Sequence, residues 1–172
     1  MKRLLFLLVI ILGQAHGGIA IKNFREFYES LQVSTGIGAS QNFVKAFTAV
    51  KEQLPQSGLP SEMNASAQMG MLALSSTACD EMITSDSKLD VDKRWVHRQI
   101  DFSKTADQLL MEPANSVFEE YAGIFWQRNP TVGEKSFYQE MVKELLANPS
   151  DLKESLLLLC TIAATGPDFF IF

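Results

Sequence analysis

The chain has 172 residues, a formal charge of −5 and 47% hydrophobic residues. That apolar content supports a packed core and excludes wholesale disorder, and the length suits one domain. The acidic balance and the lack of a basic patch argue against nucleic acid and anionic lipid as ligands.

Lys2 and Arg3 form a positive n-region, residues 4–12 an unbroken apolar run, and residues 13–18 a small, polar close. This is the layout of a secretory signal peptide. Ala15 and Gly17 suit cleavage after Gly17, and Gly13 and Ala15 suit cleavage after Ala15. The apolar run is about nine residues, too short to span about 30 Å of hydrocarbon. No cysteine follows it to carry a lipoprotein anchor, and an uncleaved N-terminal anchor is the alternative. Residues 1–17 are therefore expected to be a signal peptide and residues 18–172 a helical domain. Without Lys2 and Arg3, thirteen basic and twenty acidic residues remain, a charge of −7.

Beyond the leader the periodicity is helical almost throughout. Phe24, Phe27, Tyr28 and Leu31 fall at i, i+3, i+4 and i+7 behind Asn23 as an N-cap, and Ser34-Thr35-Gly36-Ile37-Gly38 breaks that helix. A second helix carries Phe43, Phe47, Val50 and Leu54 on one face and stops at Pro55; residues 56–60 form a loop. Ser61 caps a longer third helix with an inward stripe of Met63, Ala67, Met71, Leu74, Ala78 and Met82. Ala65, Ala67, Gly70 and Ala73 let a neighbouring helix come close. Residues 84–93 are polar and acidic and are expected to be a surface loop. Residues 95–102 fit either a short extended segment or a helical turn.

Residues 105–111 are expected as a short helix ended by Pro113. Asn115 caps the next, with Val117, Tyr121, Ile124 and Phe125 inward, and Arg128-Asn129-Pro130 ends it. Thr131 and Glu134 then form a capping box for a helix carrying Val132, Phe137, Met141 and Leu145, which stops before Pro149. The last helix, residues 150–164, is apolar almost all round through Leu152, Leu156, Leu157, Leu158, Leu159 and Ile162, the mark of a central helix. No stretch alternates with period two long enough for a sheet, and no repeat appears. The expected fold is all-α, a single irregular bundle of about six helices after a cleaved signal peptide.

Several of these residues resemble a helical region of large exported proteins of Gram-negative bacteria, some of which carry lectin-like or cytochrome-associated modules. The resemblance runs through Ser34-Thr35-Gly36, Val44, Val50-Lys51, Leu54-Pro55, Ala67-Gln68-Met69, Leu74 and Ala78-Cys79-Asp80. Arg128-Asn129-Pro130-Thr131 with Glu134 is similar to the R-x-P-T-x-x-E turn of such domains. The segment from Cys160 to Gly166-Pro167-Asp168-Phe169 resembles their terminal C…S-P-E-F, with Gly166 in place of serine. The resemblance implies export, an α-helical fold and a cysteine in each half; it implies no defined activity.

The chemistry-bearing residues favour structural roles. Covalent haem needs Cys-x-x-Cys-His, and Cys79 and Cys160 are isolated, neither preceding a histidine. His97 is the one histidine left after cleavage at Gly17. Zinc would require the fold to gather distant cysteines around it, so it is expected at the surface or half-buried, bonded to a carbonyl or to Asp101. Asp86, Asp90 and Asp92 offer hard oxygen ligands but lack the turn glycine and closing glutamate of a calcium loop, and fit a solvated loop. Gly36-Ile37-Gly38 follows no strand, so it reads as a helix terminator rather than a dinucleotide site. No serine sits in G-x-S-x-G; a triad built on His97 stays open. Glu119 and Glu120 are adjacent, point to different helical faces and fit a solvated surface. Asn64-Ala65-Ser66 matches a glycosylation sequon, taken as coincidence in a bacterial-type chain. Arg128 and Glu134 are either a recognition pair or, as preferred, charges placed favourably for their helix dipoles. No catalytic residue, cofactor or metal is expected.

Cys79 and Cys160 both lie on apolar sides of predicted helices. In an oxidising compartment they are expected to form a disulfide if those helices pack side by side; two buried, inert thiols are the alternative. Phe169, Phe170, Ile171 and Phe172 form an apolar tail that packs on the bundle or serves as a docking peptide, packing being preferred. Two function classes remain. The first is a non-catalytic exported interaction module, periplasmic or secreted, with an envelope protein partner. The second is a small-ligand-binding or enzymatic helical protein with an unrecognised site. N-terminal sequencing of the envelope-released protein is expected to begin just after Gly17; a mature chain still beginning at Met1 sinks the export reading.

Overall fold

A computed structural model describes residues 23–51, 65–112, 114–146 and 151–166. The expectations for the signal peptide, Leu54-Pro55, Ser61, Met63, Asn64, Pro113, Pro149 and the 169–172 tail lie outside the described residues. Those described form six α-helices: α1 (Phe24–Thr35), α2 (Gln41–Lys51), α3 (Ala65–Asp86), α4 (Val117–Trp126), α5 (Val132–Leu146) and α6 (Leu152–Ala164). Single 3-10 turns at Val91–Lys93, Ala106–Leu110 and Ala114–Ser116 punctuate the long connection from α3 to α4. No strand occurs among the described residues, and none of their helices is long and apolar enough to cross a membrane.

Local chemistry sets the helix ends. At α1 the Asn23 side chain accepts from the Glu26 amide at 3.0 Å, and the Glu26 carboxylate accepts from the Asn23 amide at 2.7 Å. This reciprocal box satisfies two amides that a helix start leaves open. The far end closes on Gly36 at φ 67°, a left-handed conformation that a Cβ would strain. Ser40 Oγ accepts from the Phe43 amide at 3.1 Å and starts α2. The box before α5 also forms: Thr131 N donates to Glu134 Oε2 at 2.6 Å, and Glu134 N to Thr131 Oγ1 at 3.3 Å. Arg128 then takes both oxygens of Glu134, at 2.9 and 2.7 Å. Its guanidinium, with Thr131, outweighs burial and lowers the Glu134 carboxyl to about 2. Pro130 is buried in the same turn.

The core is built around α3, which is contacted by α1, α2 and α6. Phe27, Leu31 and Phe43 are fully buried, and Tyr28 stacks on Phe43 with ring centroids 4.8 Å apart. On α3 the buried positions Ala67, Gly70, Met71, Leu74, Ser75, Ala78, Cys79, Met82, Ile83 and Asp86 cover more than half its circumference, because neighbours approach from several directions. Cys79 and Cys160 are joined in a disulfide, with Cα atoms 5.9 Å apart. It ties α3 to α6, the most extensively packed pair of helices among those described.

The short helix expected over residues 105–111 forms as a 3-10 helix, Ala106–Leu110. Three expectations change. Helix α3 continues through Asp86, so the acidic stretch begins inside a helix. Asn115 lies within the turn before α4 and does not cap it. Val132 is 83% exposed. Tyr138, Met141 and Val142 are buried on α5, the expected Phe137 and Leu145 pack partly buried against the same core, and Val132 falls off that face.

Alkylation of the denatured, unreduced protein is expected to add no alkyl group, and two added groups would mean that the bond is absent. Replacing Cys79 and Cys160 together by alanine is expected to lower the unfolding free energy by roughly 4 kcal/mol, read by urea denaturation, because the bond closes a separation of 81 residues.

Candidate functional site

The connection that follows α3 forms only short 3-10 turns, yet Val96, His97 and Ile100 within it are buried. Their backbone groups need partners away from water. Asp86, the last residue of α3, supplies them. Its Oδ1 accepts from the Trp95 amide at 2.8 Å, and its Oδ2 from the amides of Val96 at 3.0 Å and His97 at 3.1 Å. Oδ2 also accepts from His97 Nδ1 at 2.8 Å. Burial pushes the Asp86 carboxyl up, but His97 and the three amides outweigh it and hold it well below the usual carboxylate range.

Arg94 does for carbonyls what Asp86 does for amides. Its Nε donates to Leu89 O at 3.1 Å, and its Nη1 to His97 O at 3.1 Å and Ile100 O at 2.6 Å. The guanidinium also lies 5.0 Å from the Phe102 ring centroid, a cation–π distance.

His97 extends the network to α4. Its ring is 0% exposed, and its Nε2 meets the Tyr121 hydroxyl at 2.7 Å. An ionised Asp86 can only accept, so Nδ1 carries a hydrogen, and in the neutral tautomer Nε2 accepts from Tyr121. Burial, with Tyr138, Glu120 and Asp86 nearby, pushes the Tyr121 phenol well up. The row Asp86–His97–Tyr121 has the donor order of a catalytic relay, but the imidazole has no face open to a substrate.

Glu120 borders this row. Its Oε2 is buried with no hydrogen-bond partner among the described residues. Burial raises the carboxyl, the Arg98 guanidinium draws it back and the Asp86 charge raises it again, leaving it at about 7. Glu119, one position earlier, is exposed and pairs with Lys135. Successive helical residues diverge by a quarter turn or more, so the two acids part between water and the loop.

The open side of the anchor is a cleft of about 340 Å³. The end of α1 contributes Thr35, Gly36 and Ile37. The last turns of α3 contribute Glu81, Met82, Ser85 and Asp86, and the connection contributes Leu89, Lys93 and Trp95. Trp95 is 55% exposed, yet its position is held from three sides. Its amide is on Asp86, its indole Nε1 donates to Ser34 O at 2.8 Å, and its ring lies against Gly36. A Cβ at position 36 would stand 3.1 Å from Trp95 Cδ2. Gly36 therefore serves both the helix end and the approach of the indole.

The sequence-expected residues fall out differently. His97 is fully buried and bonded to Asp86 rather than Asp101, which instead accepts from Ser103. Asp86 leaves the expected acidic trio for the interior, Asp90 pairs with Lys93, and no group of three metal-ligating side chains forms among the described residues. Arg128, Thr131 and Glu134 come together as a helix start, with Arg128 also 5.1 Å from the Trp126 ring centroid. Arg94, Trp95 and Tyr121 belong to the site without having stood out as functional in the sequence. One signal was available: an arginine and a tryptophan adjacent to each other in the irregular connection.

Glu120 gives the stability a pH dependence of defined sign. Its folded pKa lies above the ordinary value of 4.5, at about 7, so the folded state holds the proton more tightly. That contribution is full below the ordinary value and is lost as pH rises through about 7. Glu120→Gln is expected to flatten the fall in melting temperature between about pH 5 and about pH 8. At the upper end it should raise it by about 2–4 °C, after allowance for the partial exposure of the group. An unchanged slope in thermal melts across that range refutes the assignment.

No family model, no curated protein and no solved structure matches the chain.

Proposed function

We propose that this chain is an exported, non-catalytic interaction module, an accessory or subunit of a cell-envelope assembly, and that the Trp95 cleft is its recognition face. The observation that carries this reading is a half-exposed tryptophan held from three sides. A solvent-exposed indole that cannot turn away contributes large contact area at low entropic cost, which is why tryptophan dominates binding hot spots. The buried Asp86–His97–Tyr121 row supports a framework role, since a general base needs to reach the proton it takes. Export is supported by the Lys2-Arg3 leader and by the Cys79–Cys160 bond, a linkage that persists in oxidising compartments. The resemblance to helical regions of exported bacterial proteins points the same way.

The second reading is a small-ligand-binding or enzymatic protein using the same cleft. Its volume of about 340 Å³ favours this, being within the range of ligand sites. A photo-cross-linking residue at Leu89, on the cleft, is compared in native cells with one at Glu140, exposed on α5. One discrete protein adduct at position 89 and none at 140 is the expected result. No adduct at 89, or the same adducts at both positions, defeats the interaction reading.

A further inference from the structure

Two helices end at the Trp95 cleft. Helix α1 stops at Thr35 and α3 at Asp86, and both residues line it. A helix C-terminus carries roughly half a negative charge, normally offset by a basic residue in its last turn. Neither α1 nor α3 has one. The Glu81 carboxylate stands in the same wall, steadied by the Ser40 hydroxyl, which donates to its Oε2. The Asp86 charge is engaged by the connection. Lys93 is the one cation among the lining residues, and its ammonium is paired with Asp90 at 2.7 Å.

The cleft thus combines a carboxylate, two helix ends with no basic residue in their last turns and an aromatic face, all of which favour a cation. Its remaining walls are apolar: Ile37, Met82 and Leu89. A compact inorganic ion would leave those walls unused, whereas a cation on a methylene stem covers them. About 340 Å³ is at the small end of ligand sites, which suits one side chain rather than a nucleotide-sized cofactor. Guanidinium stacks on indole and pairs with carboxylate through planar, directed donors, where ammonium offers a strongly hydrated point charge.

Resting on the interaction reading above, we propose that the Trp95 cleft receives an arginine side chain presented by the protein partner, its guanidinium between the Glu81 carboxylate and the Trp95 indole. The full ¹⁵N-labelled chain is titrated with acetyl-Gly-Arg-Gly-amide while the Trp95 indole N–H resonance is followed, assigned by its loss in Trp95→Phe. A saturable shift is expected, weakened by added salt and several-fold by Glu81→Gln. The matched peptide with neutral citrulline in place of arginine is expected to bind at least about tenfold more weakly. This comparison uses the unaltered protein and does not depend on a variant folding. Equal binding of the citrulline peptide, or no saturable shift with the arginine peptide, overturns the proposal. Tighter binding of agmatine than of the peptide also overturns it, assigning the cleft to a free small cation. A cross-linked partner at position 89 without arginine-peptide binding defeats this inference alone; absence of the partner defeats the reading beneath it.

Discussion

The carboxylate of Asp86 holds the irregular middle of the chain against the helical frame. It is the last residue of α3, and it receives three consecutive backbone amides, from Trp95 to His97, as well as the His97 ring. The connection could not otherwise carry buried Val96 and Ile100 without stranding its own polar groups. Each buried amide left without a partner costs about 1–3 kcal/mol, so the loss of this one side chain would be felt at several positions together. Arg94 completes the arrangement by binding the carbonyls of Leu89, His97 and Ile100. One acid and one base, eight positions apart, thereby replace the hydrogen bonds that a helix would have made internally.

The anchor works because the elements around it are fixed by independent means. The disulfide joins α3 to α6, α4 packs on α6, and His97 links the connection to Tyr121 on α4. The connection is thus tied to α3 through Asp86 and to α4 through Tyr121. On the other side the stacked Tyr28 and Phe43 bind α1 to α2, and Trp95 reaches the end of α1 through Ser34 O. A buried ionised group usually weakens a core unless its hydrogen bonds are complete. Here they are complete for Asp86 and incomplete for Glu120, and the two carboxyls depart from their ordinary range in opposite directions for that reason.

The same geometry produces the cleft. Ending α3 at Asp86 and turning the connection back on it brings Trp95 opposite the end of α1, where Gly36 leaves room for the ring. Pre-positioning of this kind lowers the ordering cost of binding, and it leaves an aromatic surface in water where burial would have been simpler. The frame and the cleft are in this sense one construction: the buried polar network supports the exposed indole.

The sequence by itself determined the features that act over a few residues. Asn23 with Glu26 and Thr131 with Glu134 are contacts across three positions, Gly36 satisfies a backbone angle, and the apolar spacing of Phe24, Phe27, Tyr28 and Leu31 is a property of one helix. The cysteine pairing was legible because the chain has two cysteines in all, both on apolar faces. The site was not legible. Asp86 meets His97 across eleven positions, and His97 meets Tyr121 across twenty-four; nothing local distinguishes that aspartate from its solvated neighbours Asp90 and Asp92. Glu119 and Glu120 look alike in the chain, and only the tertiary packing leaves one in water and half-buries the other. Whether a charge is solvated depends on what packs beside it, and the dielectric around a side chain belongs to the tertiary structure.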